Sequence, residues 1–119
     1  MIFCSRNEKG EPAWKLILDG RKTVTRRLKP VEPGKILAVC PNRCKRAVGH
    51  IKVISCDKSI NHFINTCCQD SDVTIERWKQ KESSLEGFES WDYLRRWLAK
   101  KDIELMDTFR IEFKLIKEN

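Results

Sequence analysis

The chain has 119 residues, of which 34% are charged and 40% apolar, and its formal net charge is +7. This composition excludes a disordered chain and a membrane-spanning protein, and apolar runs such as Ile36–Cys40 are far shorter than the ~20 residues of a transmembrane helix. A single domain of this length can bury about two-thirds of its unfolded surface without disulfides or metal. The positive charge favours a polyanionic partner, nucleic acid or a nucleotide first, although solubility alone is an open alternative.

The first part of the chain predicts a strand, a helix and a second strand. Met1–Cys4 is apolar enough for an opening strand. Pro12 suits the first turn of a helix, whose apolar face extends to Leu18 and which Gly20 would end. The Thr- and Val-rich residues 23–28 then favour a strand.

The middle of the chain predicts a hairpin followed by a segment of weaker signal. Ile36–Cys40 is a continuous apolar run, Pro41 begins a turn, and Ala47–Ser55 pairs back as the next strand. Further on, Asn61–Cys67 and Val73–Lys81 are candidate helices.

The last third of the chain carries the clearest signals. Ser90 is a candidate N-cap for a helix that carries Trp91 and Trp97 on one side. Residues 109–115 alternate between apolar and charged side chains, which is the period of a strand. About five short strands with two to three helices predict an α+β fold, a small mixed β-barrel.

Three motifs resemble the ASCH domain family in the order in which they occur. The first is Gly20-Arg21-Lys22-Thr23-Val24-Thr25-Arg26-Arg27, which follows an apolar helix and is similar to the family's Gly-x-Lys-Thr-x-Thr-x-Arg signature. The second is Pro33-Gly34-Lys35-Ile36-Leu37, and the third is Leu85-Glu86-Gly87-Phe88-Glu89-Ser90 before a Trp-bearing helix. The Thr-Arg-Arg variant looks most like small phage or prophage members.

The resemblance implies one ASCH domain over residues 1–119, with a PUA-like β-barrel of about five strands and two to three flanking helices. It also implies a cleft between barrel and helices. Family members are linked to RNA, and some have been assigned amidohydrolase activity on 4-acetylcytidine or ribonuclease activity.

The catalytic set that the resemblance implies is Lys22, Thr25 and Glu86. A lysine whose pKa is lowered by burial or by neighbouring cations can act as a base. It would take the proton of the Thr25 hydroxyl for attack on an amide, while Glu86 protonates the leaving amine or positions a water. Since Lys22 and Thr25 are three residues apart, they converge only if Lys22 lies in the turn or the strand is bulged. The alternative is that all three are ordinary loop and strand residues.

The candidate phosphate contacts share a positive charge near the first motif or in the hairpin turn. They are Arg21, Arg26, Arg27, Lys29, Arg43, Lys45 and Arg46. Such contacts give affinity and salt dependence without sequence choice, and the alternative is a solvated basic face. Phe88 is the candidate for stacking on a base, while Trp14, Trp91 and Trp97 have the spacing of packing residues.

Metal and cofactor binding are not expected. Cys40 and Cys44 have a spacing that suits zinc, but the adjacent Cys67 and Cys68 do not easily present both thiolates to one ion. Because the N-terminal segment has no apolar signal core, we expect a cytoplasmic protein with reduced thiols.

The sequence therefore predicts an RNA- or nucleotide-binding ASCH domain with a Lys/Thr/Glu pocket in a basic cleft. The alternative is an amidohydrolase acting on a modified nucleoside such as 4-acetylcytidine, or a ribonuclease, and enzymatic turnover is left open. The expected partner is RNA or a nucleotide or nucleoside ligand, with no membrane partner. The oligomeric state is open, with a monomer favoured.

Overall fold

The computed structural model describes residues 1–43, 45–68 and 74–116. In chain order the elements are α1 Ala13–Leu18, β1 Val24–Arg27, β2 Ile36–Val39, β3 Gly49–Lys58, α2 Ser59–Phe63, a π-helical turn Ile64–Cys68, α3 Ile75–Leu85, α4 Trp91–Ala99, a 3-10 turn Leu105–Asp107 and β4 Phe109–Ile116. The α+β class predicted from the sequence is confirmed.

The strands form one antiparallel sheet of four strands in the order β1-β4-β3-β2. The predicted hairpin of β2 and β3 is present, and Ile36 pairs with Lys52 at one end of it. The alternating C-terminal strand lies at the centre of the sheet, between β1 and β3. A β-bulge between Val53 and Ser55 inserts one extra residue into β3 relative to β4.

The expectation of a small mixed β-barrel of about five strands was wrong in its architecture, because the sheet has four strands among the described residues and is not closed. The predicted opening strand is reduced to one parallel bridge between Ile2 and Cys40 beside β2. At the opposite edge, the Arg27 side chain of β1 donates a hydrogen bond to the Ile2 carbonyl over 2.8 Å. A side chain, rather than a backbone ladder, therefore joins β1 to the N-terminal segment.

Two apolar clusters hold the layers together. The first lies between α1 and the sheet and consists of Phe3, Ala13, Ile17, Val39, Ile51 and Phe113. The second lies among the later helices and consists of Trp78, Phe88, Leu94, Leu98 and Leu105, with Trp91 and Trp97 packed against it. Members of both clusters, among them Phe3 and Phe88, line the cavity described below.

The helices in the second half begin at side-chain caps. The Ser90 hydroxyl accepts a hydrogen bond from the Tyr93 N–H, so α4 begins where the sequence predicts. Thr74 caps α3 in the same way. Val73, where the sequence predicted the start of a helix, lies outside the described residues.

No helix among the described residues is both long enough and apolar enough to cross a membrane.

Gly87 ends α3 and has a positive φ of 88°. The N–H groups of Gly87 and Phe88 donate to the carbonyls of Ser84 and Ser83, which closes the helix end as in a Schellman motif. A Cβ at Gly87 would lie 2.7 Å from Leu16 Cδ1, whereas a Cβ at Gly10, whose φ is 76°, would meet nothing within 4 Å. Comparing substitutions at the two positions therefore separates the cost of backbone strain from the cost of steric overlap.

We expect Gly87→Ala to lower the free energy of unfolding by more than Gly10→Ala. Both substitutions place an alanine in the left-handed region, at a cost of about 1 kcal/mol, and only Gly87→Ala adds overlap with the buried Leu16, at about 1–3 kcal/mol more. Urea denaturation of the two variants and the parent measures the difference. Equal losses at the two positions would contradict the close packing of Gly87 against α1.

Candidate functional site

A cavity of about 530 Å³ lies between the N-terminal segment, β1 with the loop that follows it, and residues from Glu86 to Ile103. Its wall combines cationic side chains with aromatic and aliphatic ones. The charged residues that line it are Lys22, Arg26, Arg27, Lys29, Glu86 and Lys101. Lys22, Thr25 and Glu86, which the sequence grouped together, therefore share one cavity.

Lys22 lies in the turn between α1 and β1, which is one of the two conditions under which it can approach Thr25. The N–H groups of Arg21 and Lys22 both donate to the Leu16 carbonyl at the end of α1, and β1 begins at Val24. The Lys22 side chain is thereby turned inward and is buried. Its Nζ donates hydrogen bonds to the carbonyls of Val24 and Glu86 over 2.8 and 2.9 Å.

Burial lowers the pKa of Lys22 to about 8, the Glu86 carboxylate opposes this shift, and Arg27 and Arg26 add to it. An ammonium in this position keeps one N–H beyond its two carbonyl partners. Loss of the proton would leave a lone pair in that third direction. Lys22 can therefore donate to an anion below pH 8 and accept a proton above it.

Thr25 is a buried residue of β1, and it pairs with Ile111 of β4. It lines the cavity with Lys22. Its hydroxyl forms no hydrogen bond with a described residue, which leaves it available to a ligand.

Arg26 lies in a buried chain of four charges that runs from Glu86 through Arg26 and Glu82 to Arg110. The Arg26 guanidinium is fully buried and donates to Glu86 Oε2 over 2.7 Å and to Glu82 Oε1 over 2.8 Å. Its Nε donates to the Ser59 hydroxyl over 3.2 Å. Two arginines thus balance two carboxylates, and because the Arg26 guanidinium already has two carboxylate partners, its role as a phosphate contact stays a prediction.

One carboxylate oxygen of Glu86 takes no part in this row of buried charges. Arg26 binds Oε2, whereas Oε1 forms no hydrogen bond with a described residue. Because the residue lines the cavity, this oxygen can accept a hydrogen bond from a ligand.

Arg27 follows Arg26 on β1 and is half-buried in the cavity wall. One terminal nitrogen donates to the Ile2 carbonyl, and the guanidinium lies 5.0 Å from the centre of the Phe3 ring. Its Nε is buried and has no hydrogen-bond partner among the described residues. Such a group costs free energy unless a ligand or a water satisfies it.

Two lysines at the cavity are exposed and the adjacent wall is aromatic. Lys29 follows β1, and Lys101 follows α4 with its Nζ 4.1 Å from the centre of the Trp97 ring. Trp97 packs against the buried Phe88 with their ring centres 5.9 Å apart. Phe88, the stacking candidate from the sequence, therefore lines the cavity beside a second ring.

The other predicted phosphate contacts lie elsewhere. Arg21 is exposed and forms a two-point ion pair with Glu11, which lowers the pKa of Glu11 to about 2. Arg43, Lys45 and Arg46 are exposed in the connection between β2 and β3 and do not line the cavity.

Sequence reasoning missed three members of the site and its support. Lys101 was not singled out, although it follows Trp97 by four residues just after the end of α4 and its Nζ reaches the Trp97 ring. Glu82 and Arg110 were not singled out, and both are buried. They lie on α3 and β4, which are distant in sequence, so no pattern of neighbouring residues indicates that the two charges are buried together.

Among the described residues, no group of three His, Cys, Asp or Glu side chains is arranged to hold a metal ion. Cys4, Cys40 and Cys56 are free thiols. Cys44 and the side chain of Cys68, which entered the zinc hypothesis, lie outside the described residues.

Comparison with known proteins identifies the fold and no activity. No family model matches the chain, and no curated protein matches it either. The structure is similar to a crystal structure of protein EF3133 from Enterococcus faecalis V583, of the DUF984 family model, with a TM-score of 0.51 and 13% identity over 97% of this chain and 74% of that one. This likeness supports a small α+β domain of that fold, and membership of the ASCH family stays a prediction.

We expect Glu82→Gln to lower the free energy of unfolding by about 3–5 kcal/mol, because it leaves Arg26 and Arg110 buried with one carboxylate fewer between them. Glu11→Gln, which breaks the exposed ion pair with Arg21, should change stability little. Urea denaturation of both variants measures the contrast. A Glu82→Gln protein as stable as Glu11→Gln would show that the buried chain is not needed for the fold.

Proposed function

We propose that the cavity binds RNA or a nucleotide through its phosphates and one base. The observation that carries the proposal is the charge around the cavity. Lys22, Arg27, Lys29 and Lys101 line it, and none of the four forms an ion pair with a described residue. The acidic residue in the same wall, Glu86, is already paired with Arg26.

The four cations differ in what they offer a phosphate. Lys29 and Lys101 are exposed, so they attract an anion at the cavity and exchange it rapidly. Arg27 and Lys22 are more buried, where hydrogen bonds to an anion are stronger because the local dielectric is low. With a pKa of about 8, Lys22 is roughly 90% protonated at pH 7 and acts there mainly as a donor.

The remaining wall suits a base. Phe88 and Trp97 provide aromatic surface of the kind on which bases stack. Glu86 Oε1 is an acceptor for the exocyclic amine of cytosine. A cytidine-containing single strand is therefore the ligand with which we would test the proposal.

We expect a ten-residue oligocytidylate to bind the protein with strong salt dependence. Lys29→Ala combined with Lys101→Ala should weaken binding roughly tenfold at moderate salt. It should also reduce the slope of log affinity against log salt by about 1.4, since each contact with a single strand contributes about 0.7. Fluorescence anisotropy at several salt concentrations measures both quantities.

Lys52→Ala combined with Lys114→Ala is the matched control. These two exposed lysines pair across β3 and β4 and do not line the cavity, so the control removes the same charge elsewhere. Equal weakening in both double variants would reduce the proposal to non-specific attraction. Binding that does not change with salt would contradict it outright.

Amidohydrolysis of a modified nucleoside is the second candidate, and two observations favour it: the lowered pKa of Lys22, and the presence of the Thr25 hydroxyl in the wall of the same cavity. Neutral Lys22 would take the Thr25 proton as the oxygen attacks the amide carbonyl. The proton would pass to the leaving amine as the C–N bond breaks, and water would then hydrolyse the threonine ester to release acetate. Glu86, held by Arg26, would position the substrate.

If this chemistry occurs, the protein should release cytidine from 4-acetylcytidine, and Lys22→Met should abolish the release. Because Lys22 must lose its proton to act as a base, kcat/KM should rise about tenfold per pH unit below pH 8 and level off above it. Chromatography of the products measures the rates, with circular dichroism as the check on folding. No release by the parent, or equal release by Lys22→Met, would exclude the mechanism.

A further inference from the structure

A second cavity, of about 590 Å³, lies among α2, the π-helical turn, α3 and β4, and shares no lining residue with the first. Glu82 and Arg110 line it, whereas Arg26 and Glu86 line the first cavity. The Arg26–Glu82 ion pair therefore joins the walls of the two cavities.

The charge around the second cavity is again predominantly positive. Arg77 and Lys81 lie four residues apart on α3, are exposed, and form no ion pair with a described residue. Arg110 adds a buried guanidinium from β4. The acidic residue in the wall is Glu82, whose oxygens already accept hydrogen bonds from Arg26 and Arg110.

His62 adds a neutral donor to this wall. Its Nδ1 accepts a hydrogen bond from the Trp78 indole N–H over 3.2 Å, which assigns the ring proton of the neutral form to Nε2. Burial lowers the pKa of His62, and the nearby Arg110 lowers it further, against the opposing effect of Glu82. The imidazole is therefore a hydrogen-bond donor that needs no positive charge.

The backbone beside His62 is unusual as well. The residues Ile64–Cys68 form a π-helical turn directly after α2, and Thr66 of this turn lines the cavity. Single π-helical turns are rare and often occur at functional sites. Here the turn adds a hydroxyl to the cavity that Arg77 and Lys81 also line.

We propose that this second cavity binds a phosphoryl group, at a site separate from the nucleotide-binding cavity. Two unpaired cations, the paired guanidinium of Arg110, an imidazole and a hydroxyl line this space, and Glu82, the one carboxylate that lines it among the described residues, already accepts hydrogen bonds from two arginines. A phosphoryl group carries up to two negative charges and three acceptor oxygens, so it matches this donor set better than a carboxylate. The cavity is larger than one phosphate, which fits a polyphosphate or a phosphate within a polynucleotide.

The Trp78 indole N–H is a built-in reporter, because it donates to His62 at the cavity wall. We would titrate ¹⁵N-labelled protein with tripolyphosphate and follow this assigned signal by NMR. A saturable shift is expected in the parent. Arg77→Ala combined with Lys81→Ala should weaken the apparent affinity at least tenfold, because it removes two cations from the cavity. The fold should be unaffected, since both residues are exposed and the buried contacts stay intact.

Two controls separate this site from general charge and from the first cavity. Lys52→Ala with Lys114→Ala removes the same charge elsewhere, and Lys29→Ala with Lys101→Ala alters only the first cavity. Both should titrate like the parent. Absence of a saturable shift, or equal weakening in any control, would overturn the second site whatever the outcome for the first.

A uridine decamer without a terminal phosphate distinguishes the two sources of the phosphoryl group, because its only phosphates are those of the backbone. If it shifts the Trp78 signal and loses that effect in the Arg77/Lys81 variant, the site binds the backbone of a polynucleotide. If only tripolyphosphate does so, the site takes a free or terminal phosphoryl group. A decamer and a tripolyphosphate that both leave the signal unchanged would contradict the proposal.

Discussion

The buried charge chain from Glu86 through Arg26 and Glu82 to Arg110 is the interaction on which the rest of the structure depends. It joins β1 at the edge of the sheet, β4 in its interior, and α3 with the residue that ends it. β1 has only four residues and pairs with β4 alone. Buried charges stabilise a fold only when each one has its partner. The four paired charges therefore also specify how α3 lies against the sheet.

The same four buried charges help to explain the distribution of charge around the two cavities. Because Arg26 and Arg110 are balanced by two carboxylates, they contribute little net charge. Cations that form no ion pair with a described residue line both cavities, as Lys22, Arg27, Lys29 and Lys101 in one and as Arg77 and Lys81 in the other. Part of the net positive charge of the sequence therefore lies where a ligand can reach it, while lysines such as Lys52 and Lys114 are exposed elsewhere.

Local patterns predicted most of the elements, because a helix cap or an alternating strand is encoded within a few residues. Ser90, the hairpin and the C-terminal strand are examples. The motif residues Lys22, Thr25 and Glu86 line one cavity, and their roles stay predictions. The burial of Arg26 and the open sheet were not predictable in this way, because burial of a charge and closure of a sheet depend on contacts between elements distant in sequence.

The extra residue in β3 has a consequence for how the chain tolerates change. Up to Val53 the strand directs alternate apolar side chains into the core, and beyond Ile54 the pairing with β4 is displaced by one position. After the strand, the Ser59 hydroxyl meets Arg26 and Thr108. Because Val53 pairs with Phe113 and Ser55 with Glu112, deleting the exposed Ile54 would leave these two pairs adjacent and the register with β4 unchanged. What the deletion would remove is the local bend and twist that the bulge gives β3 before it reaches Ser59.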